Sequence, residues 1–314
     1  MSVAIGRYKR ELSVAAAYLT LLVVLGVVAP RFFQVEFRDT WVSAAPMLVV
    51  AIGMTLVIVA RHIDISIGSQ FSICAVAAGL LAKTGLAMPV VIAVTLLVGA
   101  LMGAINGWLV AGIGLPSIVV TLATMVIFRQ SLSWARQGEL VANIPDGFQW
   151  FGRGQAMGQW LVISVGIAVL VVFTIGASWV AAGREVYTVG SDRETARLAG
   201  INPAAVVFGV FVVMGVLVGL GAILQSVRFP QVDPKSGDGL ELQAIAAVVV
   251  GGTAISGGRG TMLGSLVGVA LLGTIGAAMV FLTRQAQWDK AIQGIIILVA
   301  VASDGFSRRR KRAV

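Results

Sequence analysis

Long apolar stretches dominate the chain, and short polar stretches separate them. About ten of these stretches approach the ~20 residues that a helix needs to cross the hydrocarbon core of a bilayer. They cover residues 13–29, 42–60, 64–82, 89–111, 116–136, 160–180, 204–226, 242–256, 261–283 and 289–304. The pattern therefore predicts an all-α, polytopic bundle of about ten transmembrane helices, forming one domain over residues 1–314. The eighth stretch is short, which is typical of a broken or partly re-entrant helix.

A polar segment, Gly183–Pro203, interrupts the apolar pattern after the sixth stretch. Its sequence predicts a short helix over Asp192–Ala199, with Ser191 as N-cap and Glu194 three residues later, as in a capping box. Gly200 is suited to the left-handed residue that ends a helix. A helix of about two turns is marginal in water, so it needs the flanking membrane helices or a partner to hold it. The residues alone fit both a connector and a docking element.

The composition indicates a multi-span membrane protein. Of the 314 residues, 58% are hydrophobic and 12% are charged, and the mean hydropathy is +0.96, whereas soluble domains carry about 25% charged residues. The net charge of +9 does not indicate a nucleic-acid partner, because five of the cations form a cluster at residues 308–312, just after the last apolar stretch. Such a cluster marks the cytoplasmic side of a membrane and contacts anionic lipid. An even number of spans then places both termini, and the Gly183–Pro203 segment, in the cytoplasm.

Two polar motifs interrupt the apolar stretches themselves. Asp64, Ser66 and Ser69 lie at the start of the third stretch. Asp64 is placed to cap that helix by accepting hydrogen bonds from the backbone of Ser66 or Ile67, and the same acid and hydroxyls fit direct contact with sugar hydroxyls or a transport pathway. Asn106 in the fourth stretch, with Thr121 and Thr124 in the fifth, fits either hydrogen bonding between helices or a polar path.

Small residues crowd the seventh and ninth stretches. Gly215, Gly219 and Gly221 lie in the seventh, and Gly264, Gly268 and Gly273 in the ninth. Small residues at helical spacing allow two helix backbones to approach closely. The sequence therefore predicts close helix packing at these positions.

The sequence offers little support for enzyme chemistry. One histidine, His62, and one cysteine, Cys74, cannot build a His/Cys zinc site. The glycine-rich stretch at 246–261 lacks the lysine of a Walker phosphate loop, so it is interpreted as a tight turn between the eighth and ninth stretches. We therefore predict no catalytic residue, no metal and no cofactor on this chain.

Taken together, four motifs resemble the permease subunits of bacterial ABC importers for monosaccharides, the ribose, xylose and rhamnose group, with the autoinducer-2 permeases close by. The motifs are HIDISIGS at 62–69, NGW at 106–108 with LPSIVVTLATM at 115–125, VGSDRETARLAGIN at 189–202, and the glycine-rich block at 239–268. Two positions depart from the family pattern: Arg129 is followed by Gln130 where glycine is frequent, and Ala277-Ala278 stands near the place of an Asn-Gly pair.

The resemblance implies a non-enzymatic subunit of the inner membrane that moves a monosaccharide, or autoinducer-2, through the bilayer. Its partners would be an ATPase subunit, which binds and hydrolyses the ATP, a second permease copy or a related permease, and a periplasmic sugar-binding protein. The polar segment at 183–203 would be the coupling segment. Its contact residues would be Ser191, Glu194, Ala196, Ala199 and Gly200, and the pathway residues Asp64, Ser66, Ser69, Asn106 and Thr121.

An ion-coupled secondary transporter is the alternative from a different class. Such a protein uses charge pairs inside the membrane and inverted repeats. Asp64 is the main candidate for an acid within the membrane, and the chain shows no convincing repeat.

Overall fold

The computed structural model describes residues 9–283 and Gly294, which form an all-α bundle. The α-helices within this part of the chain are α1 Lys9–Val28, α2 Pro30–Val35, α3 Phe37–Val59, α4 Ile67–Lys83, α5 Met88–Gly107, α6 Ser117–Arg136, α7 Gln155–Trp179, α8 Ala181–Ser191, α9 Arg193–Leu198, α10 Pro203–Ser226, α11 Leu240–Val250 and α12 Met262–Thr283. A π-helical turn, Trp108–Gly112, extends α5, and a 3₁₀-helix, Gln149–Gly152, precedes α7.

The predicted apolar stretches coincide with helices wherever the structure describes them, except that the eighth, 242–256, is helical only as far as Val250. Six of these helices are long and apolar enough to cross a membrane, namely α3, α5 with its π-turn, α6, α7, α10 and α12. Helices α4 and α11 are apolar but shorter, and the described apolar part of α1 is Leu12–Val28. The tenth stretch, 289–304, and the basic cluster at 308–312 lie outside the described residues. The all-α class is therefore confirmed, whereas the count of about ten spans is not.

Helix α3 forms the centre of the bundle, and it packs against α7, α10, α11 and α12. Its side chains are buried on every face from Leu48 to Val59. A helix that is apolar all round is stable only when other helices surround it. The hydrophobic pattern of this helix thus explains why the remaining elements are arranged around it.

Glycines bring α5 and α10 into backbone contact. Gly99 and Gly215 face each other so closely that a Cβ on either one would collide with the carbonyl oxygen of the other, and Gly103 lies against the carbonyl of Phe211. This confirms close packing at Gly215. In the same way, Gly268 of α12 lies against the carbonyl of Ala247 in α11, and Gly264 lies against Gly251, which follows α11. Gly273 is different, because a Cβ added to it would meet only the Cβ of Ala44, at 4.0 Å.

Residues 227–239, here called the re-entrant segment, fold back along α4. Val232 pairs with Val141 beside Gly79, near the C-terminal end of α4, whereas Gly237 lies against Gly68 in its first turn. Eleven helical residues at ~1.5 Å each separate Gly68 from Gly79, so the segment descends about 16 Å into the bundle. Helix α11 begins at the bottom of this descent and has only 11 residues. The short, partly re-entrant eighth element expected from the sequence is therefore present.

The α5–α10 contact predicts a sharp difference between two identical substitutions on α10. Gly215→Ala places a methyl group against the Gly99 backbone and should cost about 1–3 kcal/mol of stability through overpacking. Gly209→Ala meets no atom within 4 Å and should be neutral or should stabilise the helix by up to about 1 kcal/mol. Thermal unfolding of the purified protein in detergent measures both. Equal melting temperatures for the two variants would contradict this packing.

Candidate functional site

Asp64, Ser66, Gln70 and Asn106 form a fully buried hydrogen-bonded cluster. Asp64 Oδ1 accepts from the backbone N–H of Ser66 at 2.9 Å and from its hydroxyl at 2.6 Å. Gln70 Nε2 donates to Ser66 Oγ at 2.7 Å and to Asp64 Oδ2 at 3.3 Å. Asn106 Nδ2 donates to Ser66 Oγ at 2.8 Å. The cluster therefore joins the α3–α4 connection to α4 and α5.

Ser66 takes the N-cap position of α4, without a side-chain capping bond of its own, and Asp64 satisfies the N–H of Ser66. The expected acceptance from the Ser66 backbone is thus present. A buried carboxylate is stable only when donors surround it, and here serine and the side-chain amide of Gln70 supply them. Gln70 Oε1 and Asn106 Oδ1 are buried acceptors without a protein partner in the described part of the chain.

Thr121 and Ser69 lie at the edge of this cluster. The Thr121 hydroxyl donates to the Ser117 carbonyl at 2.8 Å and is 3.3 Å from the Ile63 carbonyl. Helix α6 therefore contacts the α3–α4 connection as well. Ser69 points elsewhere, because its hydroxyl donates to the Met125 carbonyl at 2.9 Å. Of the five predicted pathway residues, the structure thus joins Asp64, Ser66 and Asn106 directly. Their contact with a solute stays a prediction.

The polar segment at 183–203 contains two helices, α8 and α9, rather than one. Ser191 is the last residue of α8, so the prediction that it caps the short helix is wrong. Asp192 is the N-cap, and its Oδ1 accepts from the Thr195 N–H at 2.7 Å. This bond, with the Thr195 side chain, lowers the pKa of Asp192. Glu194 accordingly stands in the first turn of α9 and forms no capping box with Ser191.

The end of α9 follows the expected glycine motif. The N–H of Gly200 donates to the Arg197 carbonyl at 3.0 Å, and that of Ile201 to the Ala196 carbonyl at 3.0 Å, which is the Schellman pattern. Gly200 has a φ of 80°, as the sequence predicted. The expectation that Ala196 faces a partner is wrong, because its side chain is fully buried within this chain. Ala199 is exposed, and so is Leu198, whose exposure is 81%.

Helix α8 is fixed to the end of α3 by a backbone contact. Gly190 packs directly on the carbonyl of Val59, and the same carbonyl accepts a hydrogen bond from the Gly258 N–H at 2.8 Å. The Tyr187 hydroxyl donates to the Gly260 carbonyl at 3.0 Å. The glycine-rich stretch expected to be a turn between α11 and α12 is therefore also a clamp on α3 and α8. We call this contact of Gly190, Val59 and Gly258 the glycine clamp.

Arg61 and His62 connect the glycine clamp to the polar segment. The guanidinium of Arg61 donates to the Ser191 carbonyl, the last of α8. Arg193, the first residue of α9, lies 3.3 Å from His62 Nε2. Burial and, second, the Arg193 charge lower the pKa of His62 to about 4, so its ring is neutral at pH 7 and accepts from Arg193. Both contacts lie within three residues of Asp64.

Arg61 holds a backbone position that normally favours glycine. Its φ is 66°, and its N–H donates to the Ile58 carbonyl while the next N–H donates to that of Val57, both at 3.0 Å. This is the Schellman end of α3, in which glycine is usual because it has no Cβ. Sequence reasoning missed the roles of Arg61 and Gln70 and the His62–Arg193 contact, since arginine, glutamine and histidine are not the residue types that mark caps and turns in a sequence.

Comparison with known proteins decides the family. A family model described as the permease component of branched-chain amino acid transport systems matches residues 38–301. The chain belongs to this permease family. The resemblance to ABC importer permeases is thereby confirmed, and the permease is a multi-pass protein of the inner membrane and a transport subunit of an ABC importer.

The names of similar proteins refer to a different solute from that in the description of the family. The permease is 33% identical over 304 residues to the autoinducer 2 import system permease protein LsrC of Enterobacter sp. (strain 638), covering 96% of this chain and 88% of that one. The protein of the same name from Photorhabdus luminescens is 32% identical over 301 residues, covering 94% and 90%. That of Escherichia coli (strain K12 / DH10B) is 32% identical over 305 residues, covering 94% and 87%. No solved structure matches the chain. Because the family and its members are named for different solutes, membership alone does not define the substrate.

The buried cluster predicts unequal effects of two substitutions at Asp64. Asp64→Asn keeps an oxygen for the two donors of Ser66, and the Gln70 amide can turn its unpartnered Oε1 toward the new amide group. Asp64→Ala removes the carboxylate that accepts from the Ser66 N–H and from Gln70 Nε2. The loss should lower the free energy of unfolding by about 1–3 kcal/mol. In thermal unfolding in detergent, the melting temperature of Asp64→Asn should therefore be near that of the wild type, and that of Asp64→Ala should be well below it. Wild-type stability of the alanine variant would show that the carboxylate does not hold the cluster together.

Proposed function

We propose that this permease imports a small hydroxylated solute, with autoinducer-2 as the first candidate and a monosaccharide as the second. Autoinducer-2 stands first because similar proteins covering nearly the whole chain bear that name. A monosaccharide stands second because the motifs at 62–69 and 115–125 resemble those of sugar permeases. An ion-coupled secondary transporter is disfavoured by membership in a family of import-system permeases.

The observation that carries the proposal is the hydrogen-bonded connection between α9 and the Asp64 cluster. Helix α9 has six residues, too few to persist alone in water. Its buried residue, Ala196, attaches it to the bundle, while Leu198 projects with 81% of its surface exposed among charged neighbours. An exposed leucine on a rigidly held turn is suited to insertion into an apolar groove. We assign that groove to the ATPase subunit.

Two contacts carry motion of α9 into the membrane. Arg193 holds His62, and Arg61 holds the end of α8. Both arginine contacts act on the connection that leads to Asp64 and Ser66. Since the cluster also includes Asn106 of α5, a displacement of α9 changes the relative position of α3, α4 and α5. In this mechanism ATP is bound and hydrolysed by the partner, and this chain converts the partner's closure into helix movement.

The remaining assembly follows from the same proposal. The end of the bundle that carries α9 would face the cytoplasm together with both termini, because the ten-stretch assignment puts more than half of the 23 lysines and arginines, including the cluster at 308–312, on that side. The opposite end, with the re-entrant segment, faces the periplasm and receives solute from a binding protein. A second permease copy or a related permease completes the pathway, and anionic lipid contacts the basic cluster at 308–312.

Docking by α9 is tested by placing a charge on its exposed apolar residue. Leu198→Glu should weaken ATPase binding by about 2 kcal/mol, roughly 30-fold, because the carboxylate must be desolvated in the groove. The matched control is Leu140→Glu, at the opposite end of the bundle, where the leucine is 42% exposed. Both variants should be inserted at normal levels. Affinity purification of the permease should recover the ATPase with the control but not with Leu198→Glu, and solute uptake should be lost in parallel. Equal recovery of ATPase with both variants would refute the docking assignment.

A further inference from the structure

A polar recess lies where α4, α6 and the re-entrant segment meet. Its volume is about 180 Å³, enough for about six water molecules at roughly 30 Å³ each, and so for one small solute. The side chains that line it include Ser69, Arg129, Gln130, Ser133, Lys235 and Asp238. Hydroxyl, amide, cationic and anionic groups thus converge on one opening.

The recess is built by a fixed backbone contact. Gly237 packs against the backbone of Gly68, and its N–H donates to the Ser72 hydroxyl at 3.0 Å. This contact holds the turn that carries Lys235 and Asp238 next to the first turns of α4. The wall formed by the re-entrant segment is therefore positioned by the fold and not by a mobile loop end.

The arginine of the recess already has acidic partners. Arg129 Nη2 lies 3.3 Å from Asp238 Oδ1 and 3.8 Å from Glu241 Oε1. Arg129, Lys235 and Asp238 line the recess, and Glu241 lies behind the lining. An anion would meet an arginine that two carboxylates already neutralise, whereas a neutral polyhydroxyl solute finds both donors and acceptors. Recognition by several positioned polar groups is what small-molecule sites use to fix orientation.

Exposure distinguishes the recess from the Asp64 cluster. Asp64, Ser66 and Asn106 have no exposed surface, and their hydrogen bonds are made with each other. Arg129 and Asp238, by contrast, expose 38% and 45% of their side chains. Ser69 is the one predicted pathway residue that lines the recess.

We propose that this recess is the site at which the permease contacts its solute, and that the solute is a neutral, polyhydroxylated small molecule held between Ser133 and Gln130 of α6 and the re-entrant segment. The inference rests on the proposed import function. The Asp64 cluster then positions α3, α4 and α5 and does not touch the solute.

A cysteine-protection experiment tests the recess in the assembled importer. The native cysteine, Cys74, is buried and is replaced by serine. Ser133→Cys is compared with Ser131→Cys, which lies two residues away on another face of α6 and does not line the recess. Uptake by the wild type first identifies the probe, autoinducer-2 or ribose. That probe should slow maleimide labelling of Ser133→Cys severalfold and leave Ser131→Cys unchanged, and inorganic phosphate should protect neither.

Transport kinetics provide the second measurement. Ser133→Ala removes one hydrogen-bonding group and should raise the KM for uptake about 3- to 10-fold, whereas Ser131→Ala should keep the wild-type KM. If the wild type takes up neither probe, the proposed import function fails. If the wild type takes up a probe but Ser133→Cys is unprotected and Ser133→Ala keeps its KM, the recess assignment alone fails. Protection by phosphate would contradict a neutral solute.

Discussion

The glycine clamp is the contact on which the rest of the structure depends. Gly190 packs on the carbonyl of Val59, which also accepts the N–H of Gly258. Three elements that are distant in sequence meet here at backbone distance, and a Cβ at Gly190 would collide with the Val59 carbonyl. Since α3 is the buried centre of the bundle, attaching α8 to its last residue fixes the polar segment relative to the whole core. A short helix that cannot persist in water alone is thereby held in one position.

The two ends of the bundle present different surfaces. At one end, α9 presents Leu198 outward and is joined through Arg193 and His62 to the connection that carries Asp64. At the other end, the re-entrant segment forms a polar recess beside Arg129. The buried Asp64 cluster lies between them and joins α4 and α5. A displacement of α9 can thus reach the polar recess through backbone contacts and hydrogen bonds.

The hydrophobic pattern predicted the helices well, because apolar length and terminal glycines are local properties. Gly200 ends α9 as expected from its lack of a Cβ. The N-cap was assigned one residue too early, because Ser191 and Asp192 are both good caps and the length of α8 decides between them. The burial of Ala196 depends on how α9 packs against its neighbours, so no local signal reveals it. Arg61 was missed for a similar reason, since its partner at Ser191 is 130 residues away.

Replacing Arg61 with glycine tests transmission through this connection most directly. Glycine suits the left-handed backbone of this position, where φ is 66°, so Arg61→Gly should offset part of the stability lost with the bond to Ser191 and should still fold. We expect the variant to retain its ATPase partner and ATP hydrolysis, and solute uptake to fall about tenfold, as for the loss of one charge-assisted hydrogen bond. Arg184→Ala, which removes only a local bond to the Trp179 carbonyl, should transport normally. Wild-type uptake by a stable Arg61→Gly permease would contradict the account.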